Sequence, residues 1–272
     1  MAKDRSKESR VTVKSFRETK QEELWVYGVH PVRECVQSQP ENVCEIVCSR
    51  DDTRVQEILE SARNKGIPVS KVERRLLSDR LGHEHHQGIA ARLKAFQYHS
   101  LETVLTRPDP GQPPVLLLDC LQDPHNLGAI LRSACFLGAR AVIFAKDRSV
   151  PVTGTVYKAS AGALVHLPVI QVTNLVRAME ELKKVGYWIV GLDLEGPSTI
   201  YEMQYTMPVA MVVGSEGTGL RPLVKKTCDF LVKIPGTGPV QSLNASVAAA
   251  VALAEIRRQQ TCTALLSSDR QP

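Results

Sequence analysis

Five short apolar runs between residues 115 and 233 constrain this chain more than any other feature: VLLL at 115–118, AVIFA at 141–145, YWIVGL at 187–192, VAMVV at 209–213 and FLVK at 230–233. A run of this length that is apolar almost throughout reads as a strand buried on both faces. Helix signals lie between them. Asn126 is placed to cap a helix that runs to about Leu137 and stops at Gly138. VTNLVRAMEELKKVG has the spacing of a second helix, and NASVAAAVALAEIRRQQ that of a third, whose small and apolar residues suit packing against the sheet or a second subunit. Residues 115–257 are therefore expected to form an α/β domain, with 258–272 as a flexible tail.

A smaller α/β unit is expected over 23–95. LWVYG, CEIVCS, IPVSKV and HQGIAARLKAF read as strands, and HPVRECVQS and VERRLLSDRLG as helices. The helix in DDTRVQEILESARNKG is marked by acids at its start and Gly66 at its end. Residues 96–114 end in a Pro/Gly-rich stretch and read as a linker. Residues 1–22 read as a charged flexible tail. Seven Lys/Arg against three Asp/Glu in the first twenty positions supply +4 of the formal net charge of +5. The folded part is close to neutral, so a nucleic-acid partner has to be met by local basic patches, with salt-sensitive help from the tail.

Several classes are disfavoured. There is no run of 18 apolar residues for a membrane span and no apolar core of a secretory signal near the start. Seven scattered cysteines (Cys35, Cys44, Cys48, Cys120, Cys135, Cys228 and Cys262) include no CxxC pair. This points to free thiols in a reducing, cytoplasmic setting, with no zinc site. His83, His85 and His86 lie in a polar stretch that reads as a solvated loop or an RNA contact, not a metal site. P-loop, dinucleotide, nucleophile-elbow and metalloprotease motifs are all missing.

The glycine-rich strand ends remain as the site, since ligands of open α/β sheets lie beyond the carboxyl ends of strands. Gly214-Ser215-Glu216-Gly217-Thr218-Gly219 follows one strand and Ile234-Pro235-Gly236-Thr237-Gly238 another. Asn126 and Arg132 stand six apart, and Glu216 is available to orient an arginine or a neighbouring loop. Ser242, Asn244 and Ser246 alternate ahead of the last helix as caps or as ligand donors.

NLGAILRSACFLGA, VVGSEGTGLRP and IPGTGPVQSLNASVAAAVALAE, in this order, resemble the three signature segments of the SpoU/TrmH class of SPOUT RNA 2'-O-ribose methyltransferases. YGVHPVRECV and HQGIAA are similar to the L30e-like substrate-binding domain of its rRNA guanosine members. The resemblance implies a C-terminal domain tied in a trefoil knot, a homodimer, and S-adenosyl-L-methionine as cofactor without a metal. The cofactor would be held by Val213, Gly214, Ser215 and Gly217, by Ile234, Gly236 and Gly238, and by Ser242 and Leu243, with Leu243 lining the adenine pocket. Arg132, Asn126, Glu216 and Asn244 match the catalytic positions. A guanidinium is a poor general base, so Arg132 is expected to bind a target phosphate and stabilise the developing alkoxide. Asn126 would position Arg132 or the substrate, Glu216 would balance charge, and Asn244 would hold the ribose or the arginine. Gly236 and Ala245 depart from the usual methionine and valine. The implied substrate is structured RNA, a guanosine of 23S-type rRNA. The alternatives are the same reaction on tRNA or another rRNA site, and a non-catalytic RNA-binding or ribosome-assembly protein.

Overall fold

A computed structural model of the chain describes residues 24–106, 108 and 112–268, the last seven by backbone alone. The expected tail over 1–22 lies outside the described residues. Strands β1 (Leu24–Tyr27), β2 (Val43–Cys48), β3 (Val69–Lys71) and β4 (Ile89–Leu93) alternate with helices α1 (Val29–Ser38), α2 (Thr53–Asn64) and α3 (Arg74–Leu81). They form a sheet of order β1-β4-β2-β3. Asp52 caps α2 by accepting from Arg54 N and Val55 N, and Gly66 follows with φ +73°.

The second sheet is built from β5 (Val115–Leu118), β6 (Ala141–Ala145), β7 (Val169–Val172), β8 (Trp188–Leu192), β9 (Ser198–Thr199), β10 (Val209–Val213) and β11 (Phe230–Lys233). Its order is β7-β6-β5-β10-β8-β11-β9, and each neighbouring pair is parallel. Helices α4 (Pro124–Phe136), α5 (Gly154–Ser160), α6 (Leu175–Lys184), α7 (Pro222–Thr227) and α8 (Ala245–Ser268) complete the unit. The reason for the all-apolar runs is visible in β5. Leu116 and Leu118 join one core with Leu127, Val156 and Leu253. Val115 and Leu117 join another with Met179, Ile189 and Val212. Both faces are covered, as a parallel sheet requires.

Four departures from the sequence reading are physical. First, Asp123 and not Asn126 caps α4: its carboxylate accepts from His125 N at 2.9 Å, and Pro124 fills the first helical position. Second, residues 96–106 are no free linker. His99 N donates to Val169 O at 2.8 Å, Val104 is fully buried, and Phe96 and Tyr98 pack on Tyr157 and Phe144. Third, α8 runs past the expected end at 257. Gln259 bonds Met203 O and Tyr205 N, and Gln260 bonds Gln112 O, which ties residues beyond 257 to the body of the domain. Fourth, α5, β7, β9 and α7 carried no recognised signal.

The two units meet along α5. Gly154 lies so close to β1 that an added Cβ would stand 2.1 Å from Trp25 O. Lys158 donates to His85 O at 2.9 Å and sits over the Tyr27 ring, and His166 pairs with Glu34. The histidine stretch is thus only partly solvated. His86 is buried, its Nδ1 accepting from Gly88 N at 3.0 Å while Nε2 lies 3.0 Å from Ser78 Oγ, and His83 packs on Tyr27.

Candidate active site at the carboxyl ends of β5, β10 and β11

Three segments distant in sequence meet at the top of the sheet. The β5 end feeds α4, and Asn126 stands one turn in, 9% exposed. The loop after β10 carries Glu216. Its stems touch: a Cβ on Gly214 would lie 2.2 Å from Gly219 C, and Gly219 has φ +62°. Glycine is needed at both places, at the first for the close approach and at the second for the left-handed turn. Asn244 precedes α8 and caps it, its Oδ1 accepting from Ser246 N at 2.9 Å and Val247 N at 3.4 Å.

These side chains form one hydrogen-bonded cluster. Asn126 Nδ2 donates to Glu216 Oε1 at 2.7 Å. Asn244 Nδ2 donates to Asn126 Oδ1 at 3.0 Å and also to Glu216 Oε1. Ala245 N adds a third donor to the same carboxylate oxygen at 3.3 Å. The carboxylate lies at the start of α8, where the helix dipole favours negative charge.

Arg132 is not part of the cluster. Six residues along a helix amount to about 9 Å of rise and about 120° of rotation, so Asn126 faces inward and Arg132 outward. Arg132 is exposed and makes no hydrogen bond or ion pair with any described residue. The expectation that Asn126 or Glu216 orients Arg132 directly is corrected accordingly: Asn126 Oδ1 and Glu216 Oε1 serve the amide network, and Arg132 points away from both.

The positions expected to hold a cofactor divide into two groups. Val213 is buried at the end of β10, with Gly214 and Ser215 next to it. Gly217, Gly236 and Gly238 face open space, with nothing within 4 Å of an added Cβ. Ile234 is half-buried; Ser242 is exposed, and Leu243 is 46% exposed.

The sequence reading missed two parts of this site. β8 lies between β10 and β11, so its following loop, residues 193–197, lies between the two glycine loops. Asp193 N donates to Val232 O at 2.9 Å, Gly196 is pressed on β11, and Lys225 bonds Asp193 and Glu195. Gly196-Pro197 after an apolar run was the available signal. The other part is Asp119, fully buried at the end of β5 and paired with Arg221. The neighbouring Cys120 thiol is pushed up by burial and by the Asp119 charge. Among the described residues, no group of three His, Cys, Asp or Glu is placed to hold a metal ion.

An all-parallel sheet with glycine loops and a polar cluster at its strand ends defines an α/β enzyme that binds a small ligand there. The family profile described as "SpoU rRNA Methylase family" matches residues 113–254, and that described as "RNA 2'-O ribose methyltransferase substrate binding" matches 25–99. The 23S rRNA (guanosine-2'-O-)-methyltransferase RlmB of Xylella fastidiosa is 43% identical over 242 residues, covering 87% of this chain and 97% of that one. The putative TrmH family tRNA/rRNA methyltransferase YacO of Bacillus subtilis is 44% identical over 209 residues, 76% of this chain and 84% of that one. Among solved structures, the SpoU methyltransferase AviRb of Streptomyces viridochromogenes, in complex with AdoMet, superposes with a TM-score of 0.75 at 25% identity, covering 88% of this chain and 91% of that one. The chain belongs to the SpoU rRNA methylase family. It has the α/β SPOUT fold with an N-terminal substrate-binding unit.

Proposed function

We propose that the chain transfers a methyl group from S-adenosyl-L-methionine to a ribose 2'-hydroxyl of RNA, and that the target is a guanosine of 23S-type rRNA in the cytoplasm. The observation that carries the reaction is the single network of Asn126, Glu216 and Asn244, which joins all three signature segments, while Arg132 stands apart on the outer face of α4 with no partner among the described residues. The guanosine target is supported by the 43% identity to the RlmB enzyme over nearly its whole length. The free thiols of the described cysteines suit a reducing compartment.

The loops at Val213–Gly217, Ile234–Gly238 and Ser242–Leu243 hold the cofactor, with the exposed Leu243 against the adenine. S-adenosyl-L-methionine supplies an electrophilic methyl group on its sulfonium. Arg132 faces away from the network of its own chain and acts on the site that the homodimer completes, where it binds an RNA phosphate and donates to the developing 2'-alkoxide. Asn126 and Asn244 align the ribose, and Glu216 holds both amides in place. The trefoil knot belongs to this reading through the family match over residues 113–254. Phe136 on α4 and Val247 on α8 stand 88% and 46% exposed on helices that pack together. They support a homodimer across these helices.

Mapping 2'-O-methylation in rRNA and tRNA from cells lacking the gene tests the reading. Loss of one 23S rRNA guanosine mark is the expected result. Loss of a tRNA mark instead would move the substrate, and no lost mark would favour a non-catalytic RNA-binding protein.

A further inference from the structure

Arg221, just before α7, and the loop after β6 form a second charged surface over the end of β5 that none of the roles above uses. Asp119 closes β5 with its carboxylate fully buried. Its Oδ1 accepts from Arg221 Nε at 2.7 Å and its Oδ2 from Arg221 N at 2.8 Å. The Arg221 side chain is 34% exposed, and its Nη groups make no hydrogen bond with any described residue. A buried carboxylate thus fixes the plane of a guanidinium whose outer edge remains free to bind an anion.

Beside it runs the loop leaving β6, which pairs with β5 through Leu118 and Phe144. Lys146 N donates to Val172 O at 2.8 Å and Val150 N to Leu121 O at 2.9 Å, which pins the loop at both ends. Between the pins Arg148 has φ +65°. It is exposed and has no partner among the described residues. Side chains rarely adopt this backbone, and glycine or asparagine would serve a plain turn better. The chain instead presents a long cation there, and such outliers gather at functional sites. Both arginines act electrostatically on Cys120, the residue between their anchors. Adjacent strand ends are only about 5 Å apart.

We propose that Arg148 and Arg221 form a binding site for an RNA backbone phosphodiester next to the reacting ribose, with Asp119 as the positioning residue for Arg221. The proposal rests on the RNA-methylating reading above. Two planar forks on pinned backbone match phosphate oxygens with little ordering left to do on binding. Asp147, exposed beside Arg148, tempers the local charge. It favours a site that needs both arginines over a diffuse basic patch.

The test uses the full chain and a 23S rRNA transcript that contains the guanosine found by the methylation mapping above, with binding followed by anisotropy over a salt series. For Arg148→Gly, the RNA Kd rises roughly 3- to 10-fold and the slope of log Kd against log salt falls by about 0.7–0.9, one phosphate contact. Its melting temperature holds or rises, because glycine suits the left-handed backbone. Arg148→Lys recovers the slope but not the whole affinity. Arg221→Lys loses affinity in the same way, and Asp119→Asn lowers the slope by a smaller step. Calorimetry with S-adenosyl-L-methionine gives the wild-type affinity for all four. Unchanged RNA affinity and slope in Arg148→Gly would overturn the site. Lost cofactor affinity would also overturn it, by assigning the arginines to the cofactor carboxylate. An Asp119→Asn effect confined to melting temperature would remove Asp119 from it. Failure of the wild-type chain to bind any RNA refutes the functional reading itself, and is distinguished by the unmutated control.

Discussion

Replacing Glu216 by alanine removes one carboxylate oxygen that three donors share: Asn126 Nδ2, Asn244 Nδ2 and Ala245 N. Asn126 is 9% exposed but Glu216 lies at the surface, so water takes over the lost acceptor only in part. A buried donor left unpaired costs about 1–3 kcal/mol. The α8 N-terminus loses its negative neighbour, about 0.5–1 kcal/mol. Asn244 is exposed and keeps its bond to Asn126, so it adds little. With partial replacement by water, Glu216→Ala therefore destabilises by about 1.5–3 kcal/mol. Glu216→Gln leaves a carbonyl oxygen for the same donors and gives up only the charge, about 1 kcal/mol. Urea unfolding at constant slope measures both, and a methyl-transfer assay run in parallel should show alanine losing far more activity than glutamine. An alanine variant within about 0.5 kcal/mol of wild type, or glutamine and alanine variants of equal stability, would refute the reasoning that this carboxylate joins the three segments.

Arg132→Ala should behave in the opposite way. The side chain is exposed and makes no hydrogen bond or ion pair with a described residue, so stability stays within about 0.5 kcal/mol, while methyl transfer falls by at least roughly a hundred-fold. Calorimetry showing lost cofactor binding would sink that role. Gly128→Val should lower the melting temperature, because its Cβ would meet Ala159 Cβ at 2.3 Å and Val156 O at 2.9 Å, an overpacking of about 1–3 kcal/mol; unchanged melting would mean that α4 and α5 part freely. The His86 ring is held below the usual histidine range, first by burial and then by the Arg74 charge. Its folded state prefers the neutral ring, so the unfolded chain takes the proton first. Stability is full above about pH 6.5 and is lost as pH falls below it. His86→Gln should flatten that slope in acid melts, and an unaltered pH profile would count against it.

The central strands were readable because both faces are covered, which leaves an apolar run with no competing interpretation. α2 was readable from Asp52 and Gly66, whose side-chain cap and left-handed turn act locally. β9 has two residues and α5 seven, too few for periodicity to show. α5 is held by contacts with β1 and α4, which no local pattern contains. The cap of α4 was misplaced by three residues because Asp123 and Asn126 are both able caps. Only the folded chain shows that Asn126 turns inward. The sequence order of Glu216 and Asn244 gave no hint that both reach it.

The amino-acid sequence alone determined the class: buried strands, glycine loops at their ends, and the residue types Asn126, Arg132, Glu216 and Asn244 in segments that resemble one methyltransferase family. These are short-range properties, written within a dozen residues each. Tertiary structure decided what those residues do to one another. It placed β10 against β5, and so brought Glu216 and Asn244 onto Asn126. It left Arg132 on the outer face of α4 without a partner among the described residues, and it set Arg221 on the buried Asp119 across 102 residues. Hydrogen bonds over such separations depend on strand order, and strand order follows from how the whole chain covers its sheet.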